Sequence, residues 1–530
     1  MLKNIFKPTK QKVYLSILTF ILLISLYFLT KVLEAGLVTN FPVFLINPIQ
    51  IFWVPALILY LPIIGLTFSY LGDSNLDILI GLLFIFIYHY FIFNILFTFF
   101  QYLNKFKLFK ITIVLLIITF IAWICINVYP LIAPQFFQSF QKTADDSQAS
   151  TQGVQQVVDG NNQFTIKLFN NISKDSNKNV FLSPWSISNA MAITFEGASG
   201  NTASEIQNVL NFPTDYNILR SSYAKLINDN NKNGGNFTLK TANAIWINNK
   251  SNVLTEYKNT VDKYYLASSK SLDFANNSVT SANEINSWVR KNTNNKIDKL
   301  VSPDNVNNST EIIITNAVYF YADWLDKFDK KDTKNQDFQL IGDQTISIPF
   351  MSLTKNFNYA EDENTQVLEM DYKGKKVSML VLLPKENSTQ NLESSLTIDQ
   401  ITKWKNNITK EKVLVQMPKF KFETEYQLIK NLQELGITSP FIAGKADFSK
   451  LSSSKGLYIN TINHKAYVDV SEKGTEAAAA TSGGVMIMSL PRVVEPIKFI
   501  VDHPFIFIIS EKETGNILFI GKVINPLLNN

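Results

Sequence analysis

The chain has 530 residues, 46% of them hydrophobic, with 49 Lys and Arg against 44 Asp and Glu for a net charge of +5. That length exceeds one ordinary core, so at least two structural regions are expected. The mild charge excludes the concentrated basic stripe that nucleic-acid binding needs, since Arg220, Lys225 and Lys232 are too dispersed to form one. The single cysteine, Cys125, excludes a disulfide framework within one chain.

Charge is absent from residues 14–30, 35–72, 78–104 and 111–141. A bilayer core asks for roughly 20 apolar residues of helix, and four segments meet that need: 14–31, 51–71, 78–100 and 111–129. The second is interrupted by Pro55 and Pro62 and approached through Pro42 and Pro48, so it is kinked or partly inserted. A signal peptide would account for the first segment alone. Residues 1–136 are therefore expected to be an all-α, multi-pass transmembrane region. Lys3, Lys7, Lys10 and Lys12 flank the first span and Lys105, Lys107 and Lys110 the last, and both clusters call for the cytoplasmic side. Either the Pro-rich segment does not cross or one cluster is overruled. Weight given to the cluster beside the last span sends everything after Tyr129 outside the cytoplasm.

Residues 137–162, rich in Gln, Ser, Asp, Thr and Gly, read as a flexible linker. From 163 to 530 short strand-like runs alternate irregularly with amphipathic helices. Strands are expected at Val180–Leu182, Ala242–Ile247, Glu311–Tyr321, Val377–Leu383, Lys412–Met417, Ala466–Val470, Phe505–Ser510 and Ile517–Val523. Helices are expected at Asn189–Thr194, Thr202–Leu210, Ser281–Thr293 and Ile398–Lys405. The order is not a repeating strand-helix unit, which argues for an α+β domain with mainly antiparallel sheets.

Several segments of this domain carry a family likeness: NVFLSPWSISNAMAITFEGASGNTASEI (Asn179–Ile206), TANAIWINNK (Thr241–Lys250), INSWVRKNTNNKI (Ile285–Ile297), TNAVYFYADW (Thr315–Trp324), MPKFKFETEYQL (Met417–Leu428), NHKAYVDVSEKGTEAAAATS (Asn463–Ser482), DHPFIFII (Asp502–Ile509) and GNILFIGKVINP (Gly515–Pro526). Their identity and order resemble the serpins, a family of serine protease inhibitors, across the domain but not the N-terminal region. The resemblance implies three β-sheets with surrounding helices and an exposed reactive loop. It also implies that Ser183, Ser186, Asn316 and His464 form a polar shutter under the central sheet, with Trp324 at the breach where that sheet first opens. A satisfied core histidine is the plain reading of His464, and the two readings coincide.

The same likeness makes Glu472, Gly474, Thr475, Glu476, Ala477, Ala478, Ala479 and Ala480 the hinge of the reactive loop. Taken alone, EAAAA favours helix. As an inserted strand, its period of two puts Thr475, Ala477, Ala479, Thr481, Gly483, Val485 and Ile487 on one uncharged face, with Glu476 opposite. No proline interrupts the run before Pro491. Counting from the hinge as in inhibitory serpins puts the reactive bond between Met488 and Ser489, with Ile487 or Arg492 as alternatives. An apolar Met488 suits chymotrypsin-, elastase- or subtilisin-like proteases, and Arg492 a trypsin-like one.

The resemblance thus implies an inhibitor that traps a target serine protease as a covalent acyl complex, and the expected spans would anchor it to a membrane. The alternative is a noninhibitory serpin acting as a chaperone or binding module, although the small residues of the hinge favour inhibition. The chain is not expected to be an enzyme. Its three histidines, His89, His464 and His503, lie near no nucleophile or metal-ligand motif. No catalytic residue, cofactor or metal site is expected.

Overall fold

The computed structural model describes residues 142–174, 177–231, 237–342, 344–475 and 495–528. The expected spans fall in residues 1–141, outside the described residues; among the described residues no helix is long and apolar enough to cross a membrane. Lys142–Asn530 forms a compact unit of its own.

Helices dominate the N-terminal part of this unit: α1 (Thr151–Ser173), α2 (Pro184–Gly197), α3 (Gly200–Leu210), α4 (Tyr216–Asn231), α5 (Thr255–Tyr265) and α6 (Ser278–Asn292). Short α7 (Gln390–Ser395), α8 (Ile398–Asn406) and α9 (Ile429–Glu434) follow. The strands are β1 (Val180–Leu182), β2 (Phe237–Asn248), β3 (Ser268–Leu272), β4 (Ile312–Asp323), β5 (Lys334–Gln339), β6 (Thr345–Glu361), β7 (Thr365–Asp371), β8 (Val377–Pro384), β9 (Thr409–Pro418), β10 (Phe420–Gln427), β11 (Ile459–Ser471), β12 (Gly474–Thr475), β13 (Ile497–Ile500), β14 (Phe505–Glu511) and β15 (Ile517–Val523).

The linker expected over 137–162 is helical from Thr151 onward. Ser150 caps α1, its Oγ accepting from the Gly153 amide at 3.1 Å, and Val157 and Val158 are buried. Gly160 belongs to the packing: a Cβ there would lie 2.8 Å from the Leu210 carbonyl oxygen. The small residues that suggest a linker in fact allow α1 to approach the end of α3. Preceding residues are tied down as well, since Asn228 exchanges hydrogen bonds with the backbone of Ala144 at 2.9 Å.

Among the described residues the strands form two hydrogen-bonded networks, where three sheets were expected. One has the order β1-β15-β14-β8-β7-β6-β9-β13, with β5 also on β6; the other has the order β10-β11-β12-β4-β2-β3. The long β6 explains the difference. Its first part pairs with β5 and β9 and its last residues, Asn358–Glu361, with β7, so one strand joins what would otherwise be two sheets.

Aromatic side chains join the two networks. Phe181 of β1 stacks on Phe519 of β15 at 5.2 Å and on Phe507 of β14 at 5.7 Å, and meets Phe422 of β10 edge-on at 6.4 Å. All four are buried, each contributing about 1.5–3 kcal/mol by leaving water. A smaller cluster of Trp246, Phe274, Ile285, Val289 and Ile313 packs α6 on the other face of the six-stranded sheet. This sheet is therefore covered on both faces, and its central strands read as nearly unbroken apolar runs.

Candidate functional site at the strand seam

Alternation decides which side chains meet in the middle of the six-stranded sheet. In β4, Ile312, Ile314, Val318 and Phe320 face the main core, while Ile313 and Ala317 face the cluster under α6. Asn316 therefore stands in the core-facing stripe. Parallel β11 sends Ile462, Ala466, Val468 and Val470 to the same core, and its register sets His464 opposite Asn316. Both polar side chains are fully buried.

Their hydrogen bonds define the state of the ring. The Ser183 amide donates to Nε2 of His464 at 3.2 Å, so Nε2 is unprotonated and Nδ1–H donates to Oδ1 of Asn316. The two hydrogens on Asn316 Nδ2 are shared among the Ser186 carbonyl at 2.7 Å, Ser186 Oγ at 2.7 Å and Asn243 Oδ1 at 2.6 Å. Burial lowers the His464 pKa to about 3, against a smaller opposing effect from its hydrogen bond to Asn316. A proton on Nε2 would also point at the Ser183 amide. Ser183 Oγ does two things at once: it caps α2 ahead of Pro184, accepting from the Ser186 amide at 3.3 Å, and it donates to the Leu518 carbonyl of β15 at 2.7 Å.

Beyond Tyr319 and Tyr467, β4 and β11 no longer pair with each other. β12 lies between them, Thr475 opposite Ala322 and Val470, Gly474 opposite Asp323 and Ser471, antiparallel to both. Gly474 has φ +150°, and a Cβ there would lie 2.0 Å from the Ala322 carbonyl oxygen, so the position admits only glycine. Trp324 closes this end. Its ring stacks on Tyr372 at 4.4 Å, its Nε1 donates to the Ser471 carbonyl at 3.0 Å and its amide to the Lys473 carbonyl at 2.7 Å. The Tyr372 hydroxyl and Thr475 Oγ1 lie 2.8 Å apart, both residues buried. Glu472, also buried, accepts from Lys419 Nζ and Thr333 Oγ1, each at 3.0 Å. Burial alone would raise its carboxyl pKa; its own amide, Lys419 and Thr333 outweigh that and hold it below the ordinary range.

This seam, with a wedge of chain seated at one end and a polar pair midway, lies inside a region that matches a known family. Residues 159–526 match the family described as serpin (serine protease inhibitor). The chain belongs to the serpin family. An uncharacterized serpin-like protein of Thermococcus kodakarensis is 38% identical over 371 residues, covering 70% of this chain and 86% of that one. The Leukocyte elastase inhibitor of Equus caballus is 37% identical over 384 residues, covering 70% and 100%. Among solved structures, Serpin48 of Tenebrio molitor, described as highly specific, superposes with a TM-score of 0.63 at 34% identity, covering 71% of this chain and 99% of that one.

The serpin domain brings Ser183, Ser186, Asn316 and His464 into one network and gathers Trp324, Glu472, Gly474 and Thr475 at the open end of the seam. Glu476, Ala477, Ala478, Ala479, Ala480, Met488 and Ser489, with the alternatives Ile487 and Arg492, lie outside the described residues. Two participants escaped the sequence reading. Asn243 sits in the TANAIWINNK segment, where a polar residue amid apolar ones was the available signal. Tyr372 gives no local signal, because its role depends on Trp324 and Thr475. His503 is engaged by Asp502 at 2.7 Å and by the Pro384 carbonyl at 2.6 Å.

Proposed function

We propose that this serpin inhibits serine proteases of chymotrypsin-, elastase- or subtilisin-like specificity by acting as a suicide substrate, held outside the cytoplasmic membrane by its N-terminal region. The observation that carries the reading is β12. Gly474 and Thr475 already form a strand between β4 and β11, and insertion of the loop would extend that strand along the seam.

In this mechanism the protease serine attacks the Met488 carbonyl and cleaves the bond to Ser489, leaving an acyl-enzyme. The loop then continues from Thr475 between β4 and β11, separating the eight register pairs from Ile459–Ile312 to Tyr467–Tyr319. Residues 474–488, at about 3.3 Å each, would carry the bound protease some 50 Å. Misplacing catalytic groups by only about 1 Å can cost on the order of a hundredfold in rate, which is enough to stall deacylation. The name of the equine relative supports an elastase-like target. Four uncharged segments of spanning length support the membrane anchor.

Incubation with chymotrypsin-, elastase-, subtilisin- and trypsin-like proteases tests the proposal. An inhibitor gives a covalent complex that survives denaturing electrophoresis. Cleavage of the loop without a complex would instead favour a noninhibitory binding role.

A further inference from the structure

We propose that Asn407, at the junction of α8 and β9, is the acceptor of an N-linked oligosaccharide added on the outer side of the membrane. The assignment rests on the placement of the serpin domain outside the cytoplasm, and not on protease inhibition.

An acceptor asparagine needs the pattern Asn-x-Ser/Thr, with x not proline, on an accessible stretch of chain. Among the described residues the pattern occurs at Asn171, Asn249, Asn276, Asn307, Asn308, Asn387 and Asn407. A chain rich in asparagine yields such matches by chance, so the fold has to choose among them.

At Asn171, Asn249, Asn308 and Asn387 the hydroxyl residue of the pattern is buried, since Ser173, Ser251, Thr310 and Thr389 are each 9% exposed or less. Asn276 is tied down, its Nδ2 donating to the Asp273 carboxylate at 3.1 Å, and Asn307 Oδ1 accepts from Ser309 Oγ at 2.6 Å. Asn407 is under neither restriction. Asn407 and Thr409 are both exposed, the Asn407 side chain engages no other group among the described residues, and Thr409 Oγ1 bonds only Glu411 Oε1, at 3.1 Å.

The backbone does not ask for asparagine here. Asn407 follows the last turn of α8, where asparagine is common because it tolerates a left-handed conformation. Its φ of −95° and ψ of 0° are right-handed, so other residues would serve as well. The helix is closed by the main chain alone, the Asn407 amide donating to the Lys403 carbonyl at 3.2 Å and the Trp404 carbonyl at 3.1 Å. The side chain is left to solvent beside β9 of the nine-stranded network, whereas the seam lies in the six-stranded one.

The co-reactant is an oligosaccharide joined through phosphate to a membrane lipid. Asn407 Nδ2 attacks the sugar C1, the C1–N bond forms, and the C1–O bond to phosphate breaks with its electron pair leaving on the phosphate. A base of the membrane transferase takes the amide proton. Thr409 supplies the hydroxyl by which the transferase recognises the acceptor.

Tryptic mass mapping of the full-length chain, taken from membranes of cells that make it, reads the site in the peptide 406–410. The wild-type peptide should carry the mass of an oligosaccharide. That mass should be lost completely in Asn407→Gln and in Thr409→Ala and be retained in Thr409→Ser. A mass that persists in Thr409→Ala overturns the N-linked assignment. A bare wild-type peptide overturns the site, and surface proteolysis of the same cells separates the two premises. If external protease reaches the domain, Asn407 alone is refuted as the acceptor; if the domain is protected, its placement outside the cytoplasm is refuted as well.

Discussion

His464 of β11 lies directly opposite Asn316 of β4, and its Nδ1 donates to the Asn316 side chain across the two strands that loop insertion would part. The bond joins side chains on the core face of the sheet, so the strands cannot separate there without breaking it. The geometry holds only for a neutral imidazole.

Stability should therefore fall with acid in a defined window. The folded pKa of His464, about 3, lies below its ordinary 6.5, so the unfolded chain takes up the proton first. The stabilising contribution is complete above about pH 6.5, declines by up to about 1.4 kcal/mol per pH unit below it, and is exhausted near pH 3. Urea unfolding of wild type and His464→Gln between pH 7 and 5 checks this. The slope should flatten in the variant, and parallel curves would show that another group sets the acid response.

Cleavage within the loop should stabilise the serpin domain. The described seam accommodates only Gly474 and Thr475, and a cleaved loop that extends β12 would add a strand of hydrogen bonds and apolar contacts. The unfolding midpoint should rise on the order of 10 °C or more. Equal melting of intact and cleaved protein would show that no insertion follows the cut.

Thr475→Arg should convert the inhibitor into a substrate. Thr475 is 1% exposed and meets the Tyr372 hydroxyl at 2.8 Å. An arginine in its place would bury an unpaired charge under Trp324 and Tyr372, at a cost of about 3–5 kcal/mol. The hinge would leave the seam, and insertion would lag behind deacylation. Loop cleavage should continue at the wild-type bond while the complex band falls at least tenfold, and Thr475→Ser should behave as wild type. An undiminished complex would show that this side chain need not enter the sheet.

What could be read beforehand follows the range of the interactions involved. β15 is apolar from Ile517 to Gly521 and broken only by Lys522, and its observed bounds, Ile517–Val523, are those expected. Asn316 and His464 were singled out by the family resemblance, and His464 lay outside the strand expected at Ala466–Val470. The long β6 was missed because Pro349, Lys355 and Asn356 break its alternation; Pro349 is accommodated where β5 pairs with β6. Asn243 and Tyr372 reach Asn316 and Thr475 across 73 and 103 residues of chain, and no local pattern records such contacts. The start of α1 was hidden because glycine at close helix contacts has the same composition as a linker.

The membrane proposal predicts a defined product of surface proteolysis. Lys142 pairs with Asp262, and Asp145 with Lys263 at 2.9 Å, while Ala144 is held by Asn228. The chain is thus secured from its first described residues. Protease added to intact cells should release a domain whose N-terminus lies at about 138–142. A domain protected until the membrane is broken would mean that Lys3, Lys7, Lys10 and Lys12 set the topology.

Met488 should be the bait, for reasons of spacing and of chemistry. Gly474 occupies the first position of the seated strand, and counting onward as in inhibitory serpins reaches Met488 followed by Ser489. An apolar residue before the cut and a small one after it suit a hydrophobic protease pocket, and Pro491 ends the run able to join a strand ladder. A chymotrypsin- or elastase-like enzyme should therefore release a C-terminal fragment of 42 residues beginning at Ser489, identifiable by its mass. Met488→Arg should redirect inhibition toward trypsin-like enzymes, whose carboxylate-lined pocket accepts the cation. Oxidation of Met488 to its polar sulfoxide should weaken inhibition of enzymes with hydrophobic pockets. A fragment beginning at Val493 from the unmodified protein would move the bait to Arg492, and with it the target class to trypsin-like proteases.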